Sequence, residues 1–403
     1  MSLRVLLSCG ETSGDLYAGA LTRELRRLVP DLDVAGLAGP EFARAGGRVL
    51  EDFRGLSVTG FAEIVSALPR LRAAKARLLA EVRTHRPDAL VVIDYFGFNG
   101  RLARAVKALG VPVVYYISPQ IWAWRAGRIS LIREVTTRML VIFPFEREIY
   151  RDAGVPVEFV GHPLIDLAQT TTTREQLAQR LGLDATAPIV AVLPGSRTAE
   201  LRRILPTQVE AAQLIQRRAP TTQFVFARAQ HLDDRLFEPA RRLAGSAIVE
   251  NETDAVLSAA DVVLTASGTA TVQAALHGKP MVVVYRVSPL EYRIGRRFVK
   301  VDTFAMVNLI AGARIVPELI QDAFTAEATA SEVLSLLTDQ PRAEQMRNAL
   351  TRVREQLGGP GASRRAAEAI LRTIGATYAT NDPHPDRDVS ARDAPPGNRA
   401  GAN

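Results

Sequence analysis

The stretch VLLSCGETSGDLYAGAL, residues 5–21, contains the pattern that decides the fold. A short apolar run, Val5–Leu7, comes first, then a polar loop with two glycines, and then the helical spacing of Leu16–Leu28. This order is typical of a buried strand that turns into a helix, the repeating unit of a parallel α/β sheet. Gly10 and Gly14 are expected to let the backbone approach a bound group closely, and a helix beginning near residue 15 would point its N–H groups at that group.

The same alternation runs through most of the chain. Apolar runs that predict strands lie at Val34–Leu37, Ala89–Ile93, Val113–Ile117, Met139–Ile142 and Val157–Val160, and again at Ile189–Leu193, Thr222–Ala227, Ala247–Val249, Val262–Thr265 and Met281–Val284. A Thr-rich, charged stretch at 166–187 separates the two series. We therefore predict an α/β protein with two Rossmann-like domains, at residues 1–165 and 185–345, followed by helices at 346–376 and a disordered tail at 377–403.

Composition narrows the classes of function. The 403 residues carry a net charge of +7, which suits anionic ligands such as nucleotides, phosphorylated substrates or an anionic membrane face. The single cysteine, Cys9, excludes a disulfide framework and a thiolate metal cluster. No residue spacing is typical of a metal site, no nucleic-acid recognition motif is present, and no apolar run is long enough to span a bilayer. The first loop also lacks the Gly-x-Gly-x-x-Gly fingerprint, so no NAD cofactor is expected.

Polar clusters follow five of the predicted strands. They are Gly10–Asp15, Asp94–Asn99, Ser118–Arg125, Pro194–Arg197 and Ser267–Ala270. In open α/β sheets, ligands collect at the carboxyl ends of the strands. Each cluster alone is as typical of a tight turn, but five of them across two domains predict a ligand between the domains.

Two of these clusters suit phosphate. The amides of Gly195 and Ser196 with the guanidinium of Arg197 would form a diphosphate site, because arginine can hold phosphate through two parallel hydrogen bonds. A second set of free amides opens the next apolar helix, at Ser267, Gly268 and Thr269. The alternative is that both clusters are helix caps.

Other polar residues have two interpretations each. Ser13 is expected to cap the first helix, whereas Glu11, which is not needed as a cap, is about equally expected to contact the ligand or not. His162, beside a proline between the two domains, is more typical of a hydrogen-bonded hinge residue than of a catalyst.

Motifs along most of the chain resemble one family. In order, the sequence reads GETSGD, GLAGP, LSVTGFAEI, PDALVVIDYFGFN, YYISPQIWAWR, FPFE, VGHPLID, LPGSR, ASGTAT and NLIAG. Over residues 3 to 345 this resembles the bacterial lipid-A-disaccharide synthases. The resemblance implies the GT-B architecture, in which two Rossmann-like domains face each other across a cleft. It also implies that the C-terminal domain holds the nucleotide, the N-terminal domain holds the acceptor, and the final helix crosses back to the first domain.

The resemblance also implies a reaction. An inverting transferase without metal or cofactor would move 2,3-diacylglucosamine from UDP-2,3-diacylglucosamine to 2,3-diacylglucosamine 1-phosphate, and would release UDP and the β-1,6-linked disaccharide 1-phosphate. It would work as a peripheral protein at the cytoplasmic face of the inner membrane. The alternatives are a UDP-sugar epimerase, a transferase to another lipid-linked acceptor, or a non-catalytic lipid- or nucleotide-binding protein. Nucleic acid is not an expected partner, and the sequence leaves open whether the chain forms homo-oligomers.

Within this framework, Asp94 at the end of Ala89–Ile93 is the first candidate for the base that takes the acceptor hydroxyl proton, and Glu11 is the second. Asn99 would orient either the acceptor or Asp94. Residues expected to line the substrate site are Gly10, Ser13, Gly14, Ser118, Gln120, Trp122, His162, Gly195, Ser196, Arg197, Ser267, Gly268, Thr269, Gln273 and Asn308. Trp122 could equally pack between the domains.

Two residues depart from the family pattern. Family members often have Asp-x-Pro-x-Phe-Asn, and this chain has Phe96 in place of the proline, which could change the shape of the loop after Asp94. A glutamate is common where this chain has Gln273. A carboxylate there could accept hydrogen bonds from both ribose hydroxyls, whereas an amide accepts through one oxygen only.

Two stretches combine apolar and basic residues at helical spacing. Phe61–Arg83 is expected to form two helical pieces broken at Pro69, and Leu290–Lys300 is the second stretch. Both could lie on an anionic membrane surface. The alternative for each is a helix packed on the sheet with a solvated basic face.

Overall fold

The computed structural model describes residues 3–54, 56, 61–119, 126–288, 292–293 and 303–378, with the backbone alone at 61–66 and 126. Within these residues the strands form two separate parallel sheets, one in each half of the chain. The prediction of an α/β fold with two Rossmann-like units is therefore confirmed.

The first sheet contains seven described strands, in the order β3-β2-β1-β4-β5-β6-β7. They are β1 (Arg4–Ser8), β2 (Asp33–Ala38), β3 (Arg48–Asp52), β4 (Ala89–Ile93), β5 (Val113–Tyr116), β6 (Arg138–Val141) and β7 (Val157–Phe159). The helices of this half are α1 (Thr12–Leu28), α2 (Pro40–Arg44), α3 (Phe61–His85), α4 (Phe96–Ala108), α5 (Ile129–Val135), α6 (Pro144–Asp152) and α7 (Leu164–Leu167).

The second sheet contains six described strands, in the order β10-β9-β8-β11-β12-β13. They are β8 (Ile189–Leu193), β9 (Gln223–Arg228), β10 (Ser246–Glu250), β11 (Val262–Ala266), β12 (Met281–Tyr285) and β13 (Glu318–Ile320). The helices are α8 (Arg174–Leu181), α9 (Thr198–Arg218), α10 (Glu238–Arg241), α11 (Thr253–Ala259), α12 (Thr269–Leu276), α13 (Met306–Ala311), α14 (Ala326–Thr338), α15 (Gln340–Gln356) and α16 (Ala362–Thr373).

The central strands are apolar on both faces. Every residue of β4 and of β8 is buried, because helices cover both faces of a parallel sheet and side chains pointing either way meet protein. The sequence did not predict β3 or β13. Both lie at sheet edges, and their residues are exposed or only partly buried.

The direction in which the chain adds strands reverses between β1 and β4, and again between β8 and β11. In each sheet the chain builds outward on one side and then returns to the other side of its first strand. The loops after these four strands therefore lie at topological switch points, where open α/β sheets bind ligands. Four of the five polar clusters noted in the sequence follow these strands.

The last described helix returns to the first half of the chain. Helix α16 packs against α1, and Arg365 Nε donates to the carbonyl oxygen of Val160 at 2.9 Å. Arg372 pairs with Glu158 of β7 at 2.9 Å. The chain thus ends its described part on the first sheet after having formed the second.

Two local predictions are wrong. Helix α1 begins at Thr12 with Glu11 at the N-cap position and no side-chain capping bond, so Ser13 lies inside the first turn and does not cap it. Helix α3 continues through Pro69 as one helix. A proline removes only one backbone hydrogen bond and can be accommodated by bending when neighbouring turns are held by packing.

The described part of α3 settles the role of its apolar face. Leu78 and Val82 are buried against the first sheet, while Arg70 and Arg72 are exposed. This part is a packed helix with a solvated basic face. The side chains of 61–66, most of Leu290–Lys300 and the predicted tail after residue 378 lie outside the described residues.

Candidate active site

A cavity open to solvent lies between the two halves of the chain. The loops after β1, β4 and β5 line it from the first half, and α12 and α13 line it from the second. Residues predicted from sequence that lie on its wall are Gly10, Glu11, Ser13, Gly14, Asp94, Ser118, His162 and Thr269. The place where a ligand was expected therefore coincides with a cavity.

Backbone strain concentrates at this cavity. Asp94, Tyr95 and Ile117 have φ angles of 43°, 48° and 65°, in the left-handed region that non-glycine residues rarely adopt. All three line the cavity. Strained residues of this kind cluster at functional sites, where the surrounding structure holds them in place.

Asp94 is an exposed residue on the wall of the cavity. The protein atoms crowded around its carboxyl raise the pKa of that group to about 7, and the negative charge of Glu11 acts in the same direction. The backbone N–H of Tyr95 and the guanidinium of Arg197 act against the rise. A carboxyl with a pKa near 7 is substantially ionised at neutral pH and still binds a proton well, as a general base must.

Asn99 holds the loop that carries Asp94. Its side chain is fully buried, and Nδ2 donates to the carbonyl oxygens of Asp94 at 2.9 Å and of Ile93 and Ser8 at 3.2 Å. Its Oδ1 accepts from Ser8 Oγ at 2.7 Å. These contacts favour the second of its two predicted roles, orienting Asp94, over contact with an acceptor.

An ion pair joins the two halves of the chain beside the cavity. Arg197 Nη2 donates to Glu11 Oε1 at 2.5 Å, and the two side chains are 36% and 37% exposed. The arginine predicted to hold diphosphate therefore already has a carboxylate partner. A diphosphate that binds Arg197 has to replace Glu11 or share the guanidinium with it.

A second carboxylate lies against the turn before α9. The pKa of the Glu200 carboxyl is raised, because partial burial outweighs the opposing effects of the Arg197 guanidinium and of the backbone N–H groups of Ser196 and Arg197. A Cβ atom at Gly195 would collide with this carboxylate. Glu200 thus sits at the Ser196 amide, one of the two predicted for phosphate, as a glutamate in the first turn of a helix often does. The N-cap residue of α9, Arg197, makes no side-chain capping bond, so Glu200 and not a residue of the predicted cluster meets the amides of Ser196 and Arg197.

The N-terminus of α12 is different. Gly268 is its N-cap, and no side chain among the described residues caps it. The Ser267 hydroxyl donates to the carbonyl of Phe304 at 2.8 Å. Thr269, the first residue of the helix, lines the cavity. The positive end of the α12 dipole therefore lies at the cavity wall.

Asn308 was predicted to line the donor site, but its side chain is used inside the second half. Nδ2 donates to Glu318 Oε1 at 2.6 Å and to Val316 O at 3.0 Å. Oδ1 accepts from the backbone N–H groups of Ile315 and Val316 at 2.8 and 2.9 Å. With both amide hydrogens and both lone pairs occupied, Asn308 braces the loop before β13 and is not on the cavity wall.

Gln273 is also away from the cavity wall. Its Nε2 lies 3.4 Å from Asp254 Oδ1, and that oxygen also contacts His277 Nε2 at 3.0 Å. The amide of Gln273 thus has an acidic neighbour in the adjacent helix. Two other predicted site residues, Gln120 and Trp122, lie outside the described residues.

The first-loop glycine at position 10 has a packing reason. A Cβ atom there would overlap the ring of Tyr95, whose hydroxyl donates to the carbonyl of Leu56 at 2.6 Å. Gly10 is therefore needed for the close approach of an aromatic ring, a contact that the sequence did not predict. Both Gly10 and Gly14 nevertheless line the cavity.

Sequence reasoning missed several residues that shape the cavity. Its apolar wall includes Tyr17, Ile117, Phe143, Val272 and Met306. Tyr17, Val272 and Met306 belong to ordinary core patterns, whereas Ile117 and Phe143 lie within the motifs YYISPQIWAWR and FPFE but were not predicted as site residues. Glu146 was also missed, and its Oε1 accepts from the cavity residue Ser118 at 2.5 Å.

The fold and the cavity define a class of protein. Two facing Rossmann-like sheets with a shared cleft form the GT-B fold, which glycosyltransferases and sugar-nucleotide epimerases use. Among solved structures the chain is similar to a UDP-GlcNAc 2-epimerase from Neisseria meningitidis bound to UDP-GlcNAc, with a TM-score of 0.66, 15% identity and coverage of 92% of this chain and 100% of that one. It is also similar to the glycosyltransferase of kitacinnamycin, with a TM-score of 0.63, 16% identity and coverage of 93% and 100%. At these identities the likeness shows the fold alone.

Sequence relatives narrow the class. Residues 5–373 match the family model of the lipid-A-disaccharide synthetases. A lipid-A-disaccharide synthase from Koribacter versatilis is 44% identical over 377 residues, covering 92% of this chain and 98% of that protein. One from Geobacter metallireducens is 41% identical over 374 residues, covering 92% and 97%. The chain belongs to the lipid-A-disaccharide synthetase family, and it is a glycosyltransferase of lipid A biosynthesis, as the motif resemblance predicts.

Two properties of the described ranges bear on membranes and metals. None of their helices combines the length and the apolar character that crossing a bilayer requires. The same residues contain no cluster of three or more His, Cys, Asp and Glu side chains placed to hold a metal ion.

Proposed function

We propose that this enzyme transfers 2,3-diacylglucosamine from UDP-2,3-diacylglucosamine to 2,3-diacylglucosamine 1-phosphate with inversion at the anomeric carbon. The position of Asp94 carries the proposal. Its carboxyl, with a pKa near 7, opens into a cavity whose other wall contains the uncapped N-terminus of α12. A base on one wall and an anion-binding helix end on the other suit a displacement between an acceptor hydroxyl and a departing diphosphate.

In this mechanism Asp94 accepts the proton of the acceptor 6-hydroxyl while that oxygen attacks C1 of the donor sugar. The new C1–O bond forms as the bond from C1 to the β-phosphoryl oxygen breaks, and the electron pair of the broken bond leaves with UDP. The proton stays on Asp94 until it passes to solvent. Attack from the side opposite the leaving group inverts C1 and gives the β-1,6 linkage.

The negative charge that develops on UDP is assigned to Arg197 and the N-terminus of α12. A guanidinium contributes charge-assisted hydrogen bonds, and the helix end contributes partial positive charge. Glu11 can exchange for a diphosphate because the pair is partly open to solvent and joins the guanidinium through a single hydrogen bond, whereas a diphosphate can offer two oxygens. Glu200 is expected to leave or share the amides of Ser196 and Arg197 when the diphosphate arrives.

Product analysis tests this function. The purified enzyme is incubated with both diacyl substrates, and the products are identified by mass spectrometry, with NMR for the anomeric configuration. We expect the β-linked disaccharide 1-phosphate and an equal amount of UDP, both dependent on the acceptor. An isomerised donor formed without acceptor would instead indicate an epimerase, and turnover with another acceptor alone would change the assigned substrate.

The pH profile is expected to report the carboxyl of Asp94. Because the base has to be deprotonated, kcat/KM should rise with pH and level off above a pKa near 7. Replacing Glu11 with glutamine removes a like charge that raises the pKa of Asp94, so the rising limb should move to lower pH. Asp31 is exposed and lies just before β2, at the amino end of the first sheet and away from the cavity. The variant Asp31→Asn is therefore the control. Loss of activity at every pH in Glu11→Gln would instead make Glu11 the base.

We also propose that the enzyme associates peripherally with an anionic membrane surface on the cytoplasmic side, where lipid substrates are available. The support is the net charge of +7 and the exposed basic face of α3. Sedimentation with anionic vesicles should show binding at low salt and release at high salt. The double substitution Arg70→Glu with Arg72→Glu should weaken binding more than Arg217→Glu with Arg218→Glu, which changes the same charge on α9. Equal binding to neutral vesicles would contradict the electrostatic proposal.

A further inference from the structure

His162 is a buried polar side chain on the wall of the cavity. It is 2% exposed and lies just before α7. Its ring packs edge-on against the ring of Tyr17, with centroids 6.2 Å apart. It is tilted by 48° against the ring of Phe143, with centroids 5.4 Å apart. The position of the imidazole is therefore fixed by packing on two aromatic rings.

Hydrogen bonding determines which ring nitrogen carries the proton. The backbone N–H of Leu164 donates to Nδ1 of His162 at 3.1 Å. A backbone N–H can only donate, so Nδ1 is unprotonated and Nε2 bears the hydrogen of a neutral ring. Burial lowers the pKa of His162 to about 3, which keeps the ring neutral through the neutral pH range. Within the described part of the chain, Nε2 has no hydrogen-bond partner.

The cavity is the place where this N–H can find an acceptor. Helix α7 packs against α12, and Thr269 at the start of α12 lines the same cavity from the second half of the chain. The Nε2 atom is open to the cavity and is not sealed within the protein, so a ligand oxygen or an ordered water can accept its hydrogen there.

We propose that His162 is a positioning residue whose Nε2–H donates a hydrogen bond to an oxygen of the nucleotide-sugar donor. This inference rests on the proposed function, which assigns the diphosphate to the N-terminus of α12. A neutral donor suits the position, because an imidazolium facing the cavity shared with Asp94 would stabilise the ionised carboxylate and make it a weaker base.

Two amide substitutions test the contacts of the two ring nitrogens of His162 separately. In His162→Asn the amide oxygen can take the place of Nδ1 and keep the bond from Leu164, but the donor at Nε2 is lost. In His162→Gln the longer amide can place an N–H near the position of Nε2, while the bond from Leu164 is lost. UDP affinity is measured by calorimetry, kcat and KM by the disaccharide assay, and Tm by thermal melting. His85→Asn, at the exposed end of α3, is the control.

We expect His162→Asn to weaken UDP binding or to lower kcat about 3- to 10-fold, the effect of one neutral hydrogen bond, at nearly wild-type Tm. His162→Gln should recover most of that loss despite a lower Tm. A loss in UDP affinity assigns the contact to the UDP part of the donor, and a loss in kcat alone assigns it to the transferred sugar. The inference is overturned if asparagine behaves like wild type, or if glutamine shows the larger functional loss. Calorimetry with UDP tests His162 even if the enzyme makes a product other than the disaccharide, so the two failures are distinguishable.

Discussion

Asp94→Asn is expected to lower kcat about 10²- to 10⁴-fold, the range that a general base contributes. Asparagine keeps the size of the side chain and one acceptor oxygen, but it cannot take a proton from the acceptor hydroxyl. The fold should survive, because asparagine tolerates the left-handed backbone at this position, where φ is 43°. UDP affinity should stay near the wild-type value, since the proposed diphosphate contacts lie in the second half of the chain.

Three measurements on one preparation decide this prediction: turnover, UDP affinity and melting temperature. Asp31→Asn, which removes an exposed carboxylate at the amino end of the first sheet, controls for the loss of one charge. If Asp94 only braced its loop, Asp94→Asn would melt earlier and keep its turnover per folded molecule. Turnover close to wild type would remove Asp94 as the base and leave Glu11 as the remaining candidate.

Arg197→Ala is expected to weaken UDP binding about 10- to 100-fold. The variant loses a hydrogen bond to a charged group, worth about 1.5–3 kcal/mol. In the ligand-free enzyme this guanidinium pairs with Glu11, and that partly solvent-exposed pair offsets only part of the contact with a diphosphate. Calorimetry with UDP measures the loss, and Arg202→Ala, an exposed arginine in the same helix, is the matched control.

A double-mutant cycle tests whether Glu11 and the diphosphate compete for Arg197. Glu11→Gln alone should tighten UDP binding a few-fold, because it removes both a competing carboxylate and a negative charge. In the Arg197→Ala background the same change should have little effect, since the shared partner is gone. Unchanged UDP affinity in Arg197→Ala would take this residue out of the nucleotide site, and additive effects would show that Glu11 acts independently of it.

The candidate site was only partly predictable. The clusters after β1, β4 and β11 were expected at a cleft, and Glu11, Asp94 and Thr269 do meet at one cavity. Asn308 and Arg197 are different, because the sequence suggests their chemistry but not their partners. Glu318 and the loop before it occupy the amide of Asn308, and Glu11 occupies the guanidinium of Arg197. A sequence motif shows that a polar residue is present, but it does not show which neighbouring side chain or backbone group binds that residue.

Glu200 illustrates the same difficulty over a shorter distance. It lies three residues after Arg197, and its sequence position suits a cap for α9 as well as a solvent-exposed side chain. Only the path of the turn brings its carboxylate against Gly195 and next to the amides predicted for phosphate. The geometry of a turn depends on backbone angles such as the φ of 113° at Gly195, which the residue type permits but does not require.

The sequence by itself determined the two series of strands and the order of helices between them. Strands such as β4 and β8 need apolar residues on both faces, and this requirement appears in the sequence as short continuous apolar runs. The strands β3 and β13 escaped prediction because none of their residues is buried and neither carries a continuous apolar run, whereas the edge strands β7 and β10 were predicted from theirs. The motifs after the central strands were sufficient to indicate the family.

Only the tertiary structure decided which distant residues meet. Glu11 and Arg197 are 186 positions apart and form an ion pair. Ser8 and Asn99 are 91 positions apart and share a hydrogen bond beneath Asp94. The proton of His162 lies on Nε2 because the backbone N–H of Leu164 donates to Nδ1, a contact that no sequence pattern shows. The physical reason is that local sequence sets which residues are buried, whereas partners, protonation and strain depend on distances that exist only after both sheets have packed.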